Sequence, residues 1–249
     1  MIRTQLARWK HKLFQKPFIK DKRFPAYWIQ QTFKNEAVFL VQIGSNDGKT
    51  GDPFYELMQR NPEWKALLVE PIPYFFKKLQ VNYPDRSRFT LENVAINEGE
   101  RLPFYWVDPK AKAALPDLAY WAEQLGSFDK NHIIRELGIE IEPFIVSQEL
   151  EGLSLPTLLE RNNISQIDIL HIDAEGYDWT ILSQLDLAIF QPKFILFEYH
   201  HLSKNDLQFA AQFLESHYQI FDVGIDLLAV HSEIKVRTAM SKQMKTFAL

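Results

Sequence analysis

The chain contains no cysteine among its 249 residues. That absence removes disulfides, thiolate metal sites and cysteine nucleophiles together. It agrees with a reducing cytosol, and a cytoplasmic protein is the expectation. Long apolar runs are missing as well; none approaches the roughly 20 residues that span a bilayer. The N-terminal stretch is basic but lacks the apolar core of about 7–15 residues that marks a secretory leader. Two phosphate-binding signatures are also absent. No G-x-G-x-x-G fingerprint follows an apolar run, and Lys49-Thr50 lacks the preceding glycine spacing of a P-loop.

What remains is an ordinary soluble composition, 46% hydrophobic and 24% charged, long enough for one large α/β domain. Its net charge of −4 is unevenly spread. Residues 1–35 hold nine Lys or Arg against Asp21 alone, a surplus of eight that leaves the rest of the chain at −12. Trp9, Phe14, Phe18, Phe24 and Trp28 are interleaved with those cations. Such an arm suits either weak contact with an anionic membrane or packing of its aromatics on the domain. The acidic remainder speaks against a nucleic-acid partner.

From residue 36 onward, short apolar runs alternate with amphipathic stretches. The runs are 37–43, 66–70, 89–96, 168–173 and 194–200, and each reads as a strand. Residues 52–64 read as a helix with Asp52 as N-cap and Pro53 at its first position. Phe75, Phe76 and Leu79 give the following segment helical spacing. Alternating strands and helices predict a doubly wound, mostly parallel sheet with helices on both faces. Two last runs, 218–224 and 227–232, are too closely linked for a crossover and predict an antiparallel C-terminal hairpin. Residues 104–150 break this rhythm with Pro109, Pro116 and Pro143, and read as a lid or substrate-binding insertion. One domain over 36–249, preceded by the basic arm 1–35, is the expected organisation.

Three of the nine glycines, Gly44, Gly48 and Gly51, follow the first strand. Ligands of open parallel sheets sit beyond the carboxyl ends of the strands, where this turn lies. Asn46 occupies the place of the second glycine of a dinucleotide loop, so the turn suits a nucleoside ligand without a demanding polyphosphate. Glu70 ends the second strand, where a carboxylate accepts hydrogen bonds from both ribose hydroxyls, and Pro71 turns the chain away. At the third strand end Asn93 can meet an adenine edge and Ala95 leaves room for the ring.

The segment "HIDAEGYD" (171–178) gathers carboxylates beside Gly176. Alternation pairs His171 with Asp173, and Glu198 with His200 on the next strand. Asp173, Glu175 and His200 are the candidates for removing a proton from a substrate hydroxyl. The same groups have the chemistry to hold a divalent metal; the reading taken is catalysis with no metal. His171 and His201 read equally as core imidazoles. In the insertion, Ser127, Phe128 and His132, together with His201, are candidates to touch substrate, although Ser127 also suits a helix N-cap.

Taken in order, "VQIGSNDGKTGDPFY", "LLVEPIPYFF", "NVAI", "QLGSFDKNHI", "IDILHIDAEGYDWTIL" and "FILFEYHHL" resemble the FkbM-type methyltransferases over residues 36–230. The resemblance implies a Rossmann-like, seven-stranded sheet and S-adenosylmethionine as cofactor. It implies that Gly44, Ser45, Asn46, Asp47 and Gly48 surround the methionine part, Glu70 binds the ribose, and 93–95 lie near the adenine. Asp173 is then close to the transferable methyl, with Glu175 behind it. Many members of the wider class carry an acid where this chain has Gln42, which can accept one hydrogen bond and donate another. The expected activity is O-methylation of a small-molecule or glycan hydroxyl, of sugar or polyketide type. An NAD(P)-dependent oxidoreductase using the same turn, or a non-catalytic nucleoside-binding protein, are the alternatives.

Overall fold

The computed structural model describes residues 18–34 and 36–247. In chain order its first half comprises α1 (Pro25–Thr32), β1 (Phe39–Ile43), α2 (Tyr55–Arg60), β2 (Lys65–Val69), α3 (Pro73–Asn82), β3 (Phe89–Glu92) and β4 (Ala95–Ile96). The insertion follows as β5 (Leu102–Val107), α4 (Ala111–Ala114), β6 (Gly126–Ser127), α5 (Lys130–Leu137) and β7 (Ile145–Leu150). Then come β8 (Gly152–Leu153), α6 (Leu155–Arg161), β9 (Ile169–Ile172), α7 (Asp178–Leu182), β10 (Phe194–Glu198) and α8 (Lys204–Leu214). The chain closes with β11 (Tyr218–Asp222), β12 (Asp226–His231), α9 (Arg237–Met240) and β13 (Lys245–Thr246).

Eight strands form the main sheet in the order β13-β11-β12-β10-β9-β1-β2-β3. The expected count was seven; the short β13 adds an eighth on the edge of β11. Pairing is parallel from β3 through β10, while β12 lies antiparallel between β10 and β11. The central strands are apolar on both faces because helices cover both. Alternation on β1 sends Val41 and Ile43 into one apolar cluster with Leu158, Ile181 and Leu214. Its Leu40 joins the other, with Trp28, Phe33, Leu57 and Met58. Across the sheet Gln42 stands level with Leu68 on one side and His171 on the other.

Three local expectations are corrected. The run 89–96 is two strands: β3 stays in the main sheet, and β4 leaves it to pair with β8. Asn93 sits in the break. Helix α2 starts at Tyr55, not Pro53; Asp52 caps from three residues before, its Oδ1 accepting from the N–H groups of Phe54 and Tyr55 at 2.7 Å each. The helix after Phe128 is capped by Asp129, whose side chain accepts from Asn131, rather than by Ser127. Residues 18–34, expected within the arm, pack on the domain, with Trp28, Ile29 and Phe33 all buried. The cations Arg3, Arg8, Lys10, Lys12 and Lys16, with Trp9 and Phe14, lie outside the described residues. Among the described residues no helix is long and apolar enough to cross a membrane.

The insertion builds a three-stranded antiparallel sheet, β6-β5-β7. Val107, Leu125, Ile133 and Ile141 give it a small core of its own. Phe104 and Phe128 face the other way, joining Ile72, Phe75 and Ala95 at the main sheet's rim.

Candidate active site

Three strand ends are drawn together at the glycine turn. The N–H groups of Gly44 and Ser45 both donate to the carbonyl of Val69, at 3.0 and 2.9 Å. From the other side Asp173 N–H donates to the Ile43 carbonyl at 2.9 Å. Gly44 has φ +81°, and a Cβ there would stand 1.8 Å from the Asp173 carbonyl oxygen. Only glycine lets β1 and β9 approach this closely. Gly48 answers a different need: its Cβ would meet Leu79 and Tyr83 at 2.5 Å each.

That geometry opens a cleft of two adjoining chambers. The first lies over β1 and β2 and is walled by Val94, Ala95, Ile96, Phe104 and Phe128. The second, the roomier of the two, runs toward β10 and β12. Gly44, Asn46, Gln124 and Asp173 line both.

Glu70 sits at the floor of the first chamber, buried at 2% exposure. Its Oε2 accepts from Asn46 N–H and its Oε1 from Ile72 N–H, both at 2.7 Å. Burial nevertheless pushes its carboxyl up to about 8, against the pull of those two donors. Each oxygen keeps a lone pair, so the ionised form can accept two further hydroxyls. Asn93 is engaged elsewhere: its Nδ2 donates to the carbonyls of Glu70 and Pro71, fixing the bend after β2. Pro71, Val94 and Ala95 line the chamber directly. Asp47 turns away from both chambers, accepting from Lys49 and Thr50.

In the second chamber Gln42 Nε2 donates to Asp52 Oδ2 at 2.5 Å. Burial raises Asp52 to about 6. Gln42 Oε1 and the neighbouring His171 Nδ1 are buried without a hydrogen-bond partner. His171 packs on Phe54, with ring centroids 5.3 Å apart. Burial lowers its pKa to about 4, which keeps the imidazole neutral.

The 171–178 turn is held by a residue that sequence reasoning passed over. Asp178 is fully buried, and its carboxylate accepts from the N–H groups of Ala174, Gly176 and Glu198. Nothing in the sequence marks it beyond its being the second Asp of "DAEGYD". Glu175 is forced to φ +51°, and its carboxylate reaches His201 Nε2 at 3.4 Å. His201 Nδ1 lies 3.8 Å from Glu136, and its ring is 5.0 Å from that of His132. His200 follows a different course. The strand stops at Glu198, so alternation does not continue to His200, which is exposed and lines neither chamber. Ser127 and Phe128 do reach the first chamber, Phe128 standing 5.0 Å from Phe104 and 5.2 Å from Tyr177. Gln124, Phe104 and Tyr177 complete that wall and were not singled out from sequence.

A cleft so placed, at the carboxyl edge of a parallel sheet, marks a Rossmann-like enzyme that takes a nucleoside cofactor. Residues 42–221 match the methyltransferase FkbM domain. The chain belongs to the FkbM methyltransferase family, and its cofactor is S-adenosylmethionine. No functionally curated protein matches the sequence. Among solved structures it is similar to a precorrin-6y C5,15-methyltransferase from Geobacter metallireducens GS-15, at 12% identity over 86% of this chain and 89% of that one, with a TM-score of 0.43. It is also similar to TrmK of M. capricolum in complex with S-adenosyl-homocysteine, at 14% identity over 82% and 67% of the two chains, with a TM-score of 0.37.

The residues present fit that cofactor. Glu70 offers two acceptors to a ribose, and the apolar walls of the first chamber match an adenine. The orphaned Gln42 Oε1 is a buried acceptor suited to an ammonium donor.

Proposed function

We propose that the enzyme methylates a hydroxyl oxygen of an uncharged small molecule or glycan, with Asp173 as general base. The observation that carries this reading is the position of Asp173, which lines both chambers at their junction. Among the described residues the second chamber is lined by Asp52, Asp173 and Asp226 and by no Lys or Arg. Such a wall repels phosphate and carboxylate groups and suits a polyhydroxylated neutral acceptor, of sugar or polyketide type.

When bound, S-adenosylmethionine supplies a methyl group already activated by its sulfonium. The protein's task is then to align and deprotonate. Glu70 and the first chamber hold the adenosine, while the second chamber brings the acceptor hydroxyl to Asp173. With the cofactor in place, the Asp173 carboxylate would take the proton of an acceptor hydroxyl held against it at the junction of the chambers. Alignment contributes up to about 7–11 kcal/mol in favourable cases. A positioned base adds about 10²–10⁴-fold.

The test is methyl transfer from isotopically labelled cofactor to a panel of neutral polyols, glycosides and polyketides beside amines, carboxylates and phosphorylated sugars, read by mass spectrometry. Asp173→Asn should lower turnover about 10²–10⁴-fold while S-adenosylhomocysteine affinity stays within a few-fold. Full activity in that variant removes Asp173 as the base; methylation confined to nitrogen or anionic acceptors removes the hydroxyl reading.

A further inference from the structure

At the edge of the cofactor cleft, three side chains from three separate segments converge: His132 from α5 of the insertion, Glu175 from the turn after β9, and His201 from the turn after β10. Each presents a ligand atom within 4.8 Å of the other two. We propose that they form a binding site for a divalent first-row transition metal of the zinc class, which fastens the insertion helix over the cofactor cleft.

The donor set has the right chemistry. Two imidazoles with one carboxylate favour zinc, cobalt and their neighbours, whereas magnesium and calcium favour oxygen ligands alone. Spacing agrees as well. Ligands about 2.0–2.1 Å from a tetrahedral ion stand about 3.4 Å from one another. His201 Nε2 and Glu175 Oε2 are 3.4 Å apart. His132 Nε2 is buried with no hydrogen-bond partner, as an atom awaiting a ligand would be.

Outer contacts orient the same nitrogens. Glu136 lies 3.8 Å from His201 Nδ1, close enough to face that nitrogen's proton when Nε2 faces Glu175 at 3.4 Å. His132 and Glu136 are four residues apart on one face of α5, so one helix supplies a ligand and the orienting carboxylate together. Glu198 Oε2, 3.9 Å from His201 Nε2, is in reach as a fourth ligand. Glu175 itself is held in the left-handed region at φ +51°, with its carboxylate 3.4 Å from His201 Nε2. Because Glu175 also lines the first chamber, and Phe128 lies just ahead of α5, the ion ties the insertion down where it walls the cleft.

This site does not depend on what the enzyme methylates. Untagged full-length protein, stripped with a chelator, is titrated with zinc by calorimetry and with cobalt by visible spectroscopy. One ion per chain, with Co²⁺ d–d bands of a low-symmetry four- or five-coordinate site, is the expected result. His132→Ala and His201→Ala should each weaken binding at least about tenfold, and Glu136→Gln about 10–100-fold. His217→Ala, far from the cluster, should bind as the parent does. Circular dichroism shows that each variant is folded, and His132→Ala serves if His201→Ala is not. No stoichiometric ion, or undiminished binding in folded His132→Ala, overturns the proposal.

Discussion

Glu70 gives the enzyme an unusual dependence on pH. Its folded carboxyl titrates at about 8, against an ordinary value of 4.5. Between those values the folded protein holds a proton that the unfolded chain has released. Stability is therefore fully present below about pH 4.5 and falls as pH rises through 8. The slope approaches about 1.4 kcal/mol per pH unit, and across the interval the loss is of order 5 kcal/mol. Asp52, raised to about 6, and Asp178, raised well above its usual range, add to the same trend. Glu70→Gln isolates the one contribution. It costs a backbone hydrogen bond at acid pH, because an amide cannot accept from both Asn46 and Ile72, yet it cannot ionise. Urea unfolding from pH 5 to 9 should show parent stability falling more steeply than that of Glu70→Gln. Cofactor should flatten the parent curve, since ribose hydroxyls donate to the ionised carboxylate. Parallel curves for the two proteins would refute the reasoning.

Three further outcomes follow from packing and hydrogen bonding. Gly44→Ala combines left-handed strain of about 1–2 kcal/mol with overlap against the Asp173 carbonyl, and should lose about 2–5 kcal/mol in urea melts; a loss below about 1 kcal/mol contradicts the close approach described. Phe128→Ala removes an aromatic wall of the first chamber and should weaken S-adenosylhomocysteine about tenfold or more by calorimetry, with a lower urea midpoint from the lost ring contacts with Phe104 and Tyr177. Asp178→Ala leaves three N–H groups without their acceptor, at about 1–3 kcal/mol each for those that stay buried. It should show the lowest melting temperature of these variants, with Asp178→Asn recovering part of the loss.

Much of the fold was legible because its signals are local. Apolar runs flanked by helical spacing located the main strands, and the close spacing of β11 and β12 marked their antiparallel pairing. The glycine turn and Glu70 were legible for the same reason, since strand end, turn and acid follow one another in the chain. Failures arose where a side chain's partner is distant. The amide of Asn93 is drawn to backbone carbonyls of β2's exit, which no pattern around residue 93 reveals. Extending alternation past Glu198 put His200 on the functional face, but Tyr199 N–H bonds to the Ile225 carbonyl and the chain turns there. His201 is the imidazole that points inward, toward Glu175. Asp178 carries no local mark in the sequence, because the three N–H groups that it gathers are defined only by the folded turn and β10. The gathering of His132 with Glu175 and His201 required the insertion to fold back over strand ends, which sequence spacing does not encode.

The central claim is that the Gly44–Glu70 cleft binds an adenosyl cofactor. Calorimetric titration with S-adenosylmethionine, S-adenosylhomocysteine, NAD and NADP, repeated on Glu70→Ala, tests it most directly. The account predicts micromolar binding of the two adenosyl ligands alone, lost in the variant. Binding of NAD or NADP instead, or adenosyl binding that survives Glu70→Ala unchanged, would contradict it.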